Sequence, residues 1–168
     1  MIRRFVLLTI ISGLMFALTG CGGGGGGGET TPVSTSPTTA ILKLNILGIP
    51  SGTLIGGIQV TFTLPSGVSL ATNPATGEIA SGVVTISGVA NGSFGAQSYD
   101  PNTRLVSVAI INATGFGNGE YMTITASIAS GSTVTTSSFP AQATAVSVID
   151  TLGNSLSGFT LPISVTLQ

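Results

Sequence analysis

From Ile58 to Leu64 the chain reads Ile-Gln-Val-Thr-Phe-Thr-Leu, apolar and polar residues alternating without a fault. Successive side chains of a strand point to opposite faces of its sheet. The pattern therefore directs Ile58, Val60, Phe62 and Leu64 to a core and Gln59, Thr61 and Thr63 to water. Any fold open to this chain must supply sheets with one buried side.

The same alternation recurs along the chain. Leu42, Leu44 and Ile46 alternate with Lys43 and Asn45, and Met122, Ile124, Ala126 and Ile128 alternate with Thr123, Thr125 and Ser127. Val84 with Ile86, Phe94, Val106 to Ile110, and Ala145 to Ile149 mark further strands. At the end, Phe159, Leu161, Ile163, Val165 and Leu167 alternate with Thr160, Pro162, Ser164 and Thr166. Pro162 has no N–H to give a neighbour, so this strand is expected at a sheet edge or with that nitrogen facing outward.

Gly, Pro, Asn and Asp punctuate these runs. Gly48 to Gly57 reads as a loop, Pro65-Ser66-Gly67 as a stop with Val68-Ser69-Leu70 a short extension, and Asn73 to Glu78 as a turn-rich loop. Asp100-Pro101-Asn102 is a tight turn, Gly115 to Gly119 an interruption, Gly131 to Ser138 a loop, and Leu152-Gly153-Asn154 a turn. Charged residues make up 5% of the chain, so strong helix formers are scarce while β-branched residues abound. The expected class is all-β: a two-sheet β-sandwich or jelly roll of about eight or nine strands.

The first 20 residues have another character. Arg3 and Arg4 precede an apolar run from Phe5 to Leu18 that ends in a small-residue site, the three parts of an export signal. The run is short for a bilayer span, which takes roughly 20 apolar residues. Leu18-Thr19-Gly20-Cys21 resembles the lipobox of bacterial lipoproteins. That resemblance implies cleavage before Cys21 and acylation of its thiol, so that several acyl chains anchor the product to a membrane. It also implies the outer membrane where the cell has one, because Gly22 stands where an Asp holds some lipoproteins at the inner membrane. Gly22 to Gly28 and the Ser/Thr/Pro segment to Thr39 have little to bury and are expected to be a flexible tether. The expected organisation is thus a signal over 1–20, a lipidated Cys21 with linker over 21–39, and one β-sandwich domain over 40–168.

Within that domain the charged residues are Lys43, Arg104, Glu78, Asp100, Glu120 and Asp150. Nucleic-acid binding needs clustered cations and is not expected. The chain has no His, which excludes imidazole-based triads. Acylation of Cys21 would remove the only thiolate nucleophile. Lys43 alternates outward, away from any role beside a buried Ser. Asp100, Glu120 and Asp150 lie in or beside turns, where capping the local backbone accounts for carboxylates. No catalytic residue and no cofactor are assigned. Transition-metal ligands are lacking, whereas Asp100 with Asn102, or Asp150 with Asn154, could contribute oxygens to a weak calcium site. Sugar-binding surfaces present stacked aromatics, and with no Trp the candidates are Tyr99 and Tyr121, while Phe62, Phe139 and Phe159 suit the core.

A second resemblance covers most of 40–168. Gly56-Gly57-Ile58-Gln59-Val60-Thr61-Phe62-Thr63-Leu64-Pro65 leads to Val68-Ser69-Leu70, then come Leu105 to Ile110, Gly119 to Ala126, and a closing Asp150-Thr151-Leu152-Gly153-Asn154. This order is similar to that of cohesin domains. The resemblance implies a nine-stranded jelly roll, related in fold to some carbohydrate-binding modules, that binds a protein through a sheet face. The functional expectation is a lipid-anchored extracytoplasmic binding module for a protein partner. The alternatives are a self-assembling surface component, its Thr/Ser-rich strands pairing with copies of itself, or a carbohydrate-binding module.

Overall fold

The computed structural model describes residues 36–168; the expected export signal, Cys21 and most of the expected tether lie outside the described residues. Residues Thr35–Gln168 form one compact unit. Among the described residues there are nine strands: β1 (Thr39–Ile46), β2 (Ile55–Thr63), β3 (Val68–Ser69), β4 (Val84–Ile86), β5 (Phe94–Asp100), β6 (Leu105–Phe116), β7 (Gly119–Ile128), β8 (Thr144–Asp150) and β9 (Ile163–Leu167). Among the described residues, helical structure is limited to single 3-10 turns at Gly88–Ala90 and Thr136–Ser138. No helix among them is long and apolar enough to cross a membrane.

The strands build two antiparallel sheets. One runs β3-β7-β1-β9, with β4 also pairing β7, and the other runs β5-β6-β2-β8. The alternation in sequence is the reason they stack. Leu42, Leu44 and Ile46 from β1, Ile58, Val60 and Phe62 from β2, and Met122, Ile124, Ala126 and Ile128 from β7 all fall inside one core. No charged or polar residue is fully buried with them. Each core aliphatic side chain removed from water contributes about 1.5–3 kcal/mol. The buried face, rather than any local signal, therefore fixes the register.

The chain crosses between sheets repeatedly, as in a jelly roll. One side of the sandwich is closed by residues 141–143, which run beside 161–163: Ala143 N–H donates to Leu161 O (2.9 Å) and Ile163 N–H to Ala141 O (2.9 Å). The expected edge position of the final strand is the one observed. Pro162 sits just before β9, which pairs only with β1 in its sheet.

Several boundaries differ from the sequence reading, each for a physical reason. Thr38 N–H already bonds Gln168 O (2.7 Å), so strand pairing begins just ahead of Ala40. β2 opens at Ile55, inside the expected loop, because Gly56 lies against the Asp150 backbone, where a side chain would not fit. Val68-Ser69 does not extend β2. Gly67, at φ +80°, turns the chain so that β3 pairs β7 in the opposite sheet. β6 runs on to Phe116, absorbing the start of the Gly115–Gly119 interruption with Gly115 at φ +76°.

Candidate functional site

The outer face of the four-stranded sheet carries side chains in rows set by the strand register. Phe94, Ile111, Gly57 and Ile149 form one row across β5, β6, β2 and β8; Ala96, Ala109, Gln59 and Ser147 form the next; Ser98, Ser107, Thr61 and Thr144 follow. None of these positions is charged. Phe94 is 85% and Ile111 66% exposed, and they stand directly opposite one another. Gly57 adds no side chain to its row, which leaves a shallow trough of about 150 Å³ flanked by Ile111 and Ile149 and floored by Gly57. An added Cβ at Gly57 would lie 3.2 Å from the Ile149 side chain, so glycine keeps the trough open.

Single exposed apolar residues are ordinary, but an aromatic and an aliphatic paired on a sheet face whose one β5 charge, Asp100, stands at the far end form a patch of the kind that marks a contact surface. Phe94 was expected only as a strand marker, and Ile111 lies one residue past the expected strand. The available signal was the doublet Ile110-Ile111: in a strand, consecutive residues take opposite faces, so one of the two had to point to water.

The outer face of the five-stranded sheet differs in kind. It presents Thr123, Thr125, Ser127, Ser164 and Thr166 with the charged pair Lys43 and Glu120. Glu120 Oε2 accepts from Lys43 Nζ (2.8 Å), and Oε1 accepts from Ser87 Oγ (2.7 Å) and Thr123 Oγ1 (3.0 Å). The Lys43 hydrogen bond, then that of Ser87, hold this carboxyl below its ordinary value. Glu120 lies within β7, and its partners are on β1, β7 and the segment after β4, so it braces a sheet face rather than capping a turn.

The other carboxylates serve their own turns. Asp100 accepts from Asn102 N–H (2.9 Å) and Thr103 Oγ1 (2.7 Å). Asp150 accepts from Leu152 N–H (2.8 Å), Asn154 N–H (2.8 Å) and Asn154 Nδ2 (2.9 Å). The Thr103 hydroxyl and the Asn154 side chain, respectively, are the leading reasons both titrate below the usual Asp value. The structure thus brings together the pairs considered for calcium, but as turn braces with N–H groups aimed at the carboxylates. Among the described residues no group of three His, Cys, Asp or Glu is placed to hold a metal ion.

Of the two tyrosines that are candidates for a sugar platform, Tyr121 is ruled out by its position. It follows Glu120 at the start of β7 with its side chain fully in the core, 0% exposed, and its hydroxyl has no hydrogen-bond partner. Burial pushes that hydroxyl well above its ordinary value. Tyr99 is half-buried against the core. Phe62 and Phe139 are buried and Phe159 packs on the core's margin, as their positions predicted. Compared with known proteins, the chain matches no family model, no curated protein and no solved structure.

Proposed function

We propose that this chain is a non-catalytic binding module, tethered by lipid on Cys21 outside the cytoplasm, that recognises a protein partner through the outer face of β5-β6-β2-β8. The exposed pair Phe94 and Ile111 beside the Gly57 trough is the observation that carries this reading. Aromatic and aliphatic anchors in rows without charge, with Asp100 kept to the far end of β5, give a partner apolar area to bury with little polar desolvation. The opposite face, hydroxyl-rich and centred on an ion pair, offers no such anchor. The lipobox-like Leu18-Thr19-Gly20-Cys21 and the glycine run behind it support a tethered module, placed at the outer membrane where the cell has one. The cohesin-like strand order supports protein recognition over carbohydrate recognition, as does the burial of Tyr121.

The test is to compare envelope proteins retained by the wild-type domain, by Ile111→Lys and by Thr125→Lys. Ile111→Lys places a charge in the apolar row, and Thr125→Lys places one on the other sheet's outer face. Loss of one stoichiometric partner with the first and its retention with the second supports the proposal. Equal retention by both variants refutes it.

A further inference from the structure

We infer that β5 is a pairing edge through which two copies of this chain join into one continuous sheet. Sheet edges expose unpaired N–H and C=O groups, and natural proteins blunt them with charge, proline, bulges or a covering segment. Among the described residues the other margins are covered at least in part, β9 remaining open beyond Ile163. The free side of β7 is taken by β3 and β4. β8 is covered by the segment after it, through Leu156 N–H to Val148 O (2.8 Å) and Asp150 N–H to Asn154 O (2.9 Å). The start of β9 is flanked by residues 141–143.

β5 is open over a longer run, and the loop residues Glu78 and Ile79 only border a hollow beside Gly95, Ala96 and Gln97 without a backbone bond to them. The strand pairs β6 over all seven residues without a register shift, contains no Lys or Pro, and carries its one charge at the last position, Asp100. Leu64 N–H donates to Arg104 O (3.0 Å), which fixes the phase of the β2–β6 ladder. Residues Val106, Val108 and Ile110 therefore bond β2, and Ser107, Ala109 and Ile111 bond β5. By the same alternation the N–H and C=O of Gly95, Gln97 and Tyr99 point away from β6, and none has a backbone partner among the described residues. Gln97 lies opposite the buried Val108, on the core-facing side, yet is exposed, so nothing of the five-stranded sheet reaches over it.

The occupant that fits this edge is β5 of a second copy. Laid antiparallel with Gln97 opposite Gln97, the two strands set Gly95 opposite Tyr99. All three outward residues then donate and accept one backbone bond each. Any slip of this register leaves one of them unpaired or brings Pro101, which has no N–H, into the ladder. In this register Asp100 faces the second copy's Phe94, so the two carboxylates lie at opposite ends and no like charges meet. The union is strand addition to an exposed edge, and its two-fold axis makes both outer faces, with their Phe94 and Ile111, point the same way.

The test uses residues 36–168, which contain the whole of the described core. Light scattering from micromolar to millimolar concentration should show the mass rising from monomer toward dimer. Gln97→Pro removes the outward N–H without costing a β5–β6 hydrogen bond and should hold the domain monomeric with its circular dichroism unchanged. Should that variant not fold, Gln97→Lys and Gln97→Glu decide, since the side chain is exposed. Each alone should associate about tenfold more weakly, because like charges meet at the axis, and an equimolar mixture should recover wild-type association. A domain that stays monomeric throughout, a dimer that a folded Gln97→Pro leaves intact, or a mixture no tighter than its parts would overturn the inference.

Discussion

Lys43 Nζ lies 2.8 Å from Glu120 Oε2, joining neighbouring strands β1 and β7 on the outer face of the five-stranded sheet. The pairing is diagonal, since Lys43 stands opposite Thr123 and Glu120 opposite Asn45. Its acid dependence follows from the lowered Glu120 value. In the unfolded chain this carboxyl titrates near 4.5, and in the fold it titrates lower. The stabilisation is therefore present in full above about pH 4.5 and is lost as pH falls through the folded value. Lys43 is 53% exposed, so solvent and salt screen the pair and its contribution is about 0.2–1 kcal/mol. Urea unfolding of wild type against Glu120→Gln should show that gap at neutral pH and its closure in acid. A gap that persists unchanged at low pH would contradict the assignment.

Tyr121→Phe should stabilise the fold. The Tyr121 hydroxyl is buried without a partner, and such a group costs roughly 1–3 kcal/mol in lost hydration. Removing it without changing the ring should recover about 1 kcal/mol in urea unfolding. The raised Tyr121 value adds a pH signature. The unfolded chain ionises this hydroxyl near 10 while the fold keeps it neutral, so stability is full below that pH and falls as pH rises beyond it. Phe at this position should flatten that alkaline decline.

Gly56→Ala should destabilise far more than an exposed Gly→Ala change. A Cβ there would stand 2.5 Å from Asp150 O and 2.8 Å from Thr151 Cα, backbone atoms that cannot swing aside. The expected cost is about 1–3 kcal/mol, typical of overpacking. Gly77→Ala is not an equivalent control, because Gly77 has φ +74°. Gly117, with open space and no positive φ, is the suitable one.

Cys21→Ser should abolish metabolic lipid labelling and leave an uncut precursor in cells. Unchanged labelling would remove the anchor from the account and leave the sheet face to stand alone.

The buried strands were legible in sequence because each packs one face on the core. Ile58 to Leu64 and Met122 to Ile128 alternate for that reason, and their observed burial repeats the pattern. β5 was nearly invisible because it overhangs the second sheet. With only Tyr99 packed against the core and the other six residues exposed, Phe94-Gly95-Ala96-Gln97-Ser98-Tyr99-Asp100 has little reason to alternate. The candidate site was hidden for the same reason. Phe94 and Ile111 become neighbours only through the β5–β6 register, which depends on the turn at 101–104 and on where the ladder ends. The change of sheet between β2 and β3 was equally unreadable, since a Pro-Ser-Gly turn marks a stop without saying on which sheet the chain resumes.

Photo-crosslinking in intact cells tests the central claim most directly. A photoreactive residue placed at Ala109, in the middle of the β5-β6-β2-β8 outer face, should trap one discrete protein, whereas the same residue at Thr125 on the other sheet's outer face should not. A discrete adduct from position 125 with none from position 109, or none from either, would contradict the account.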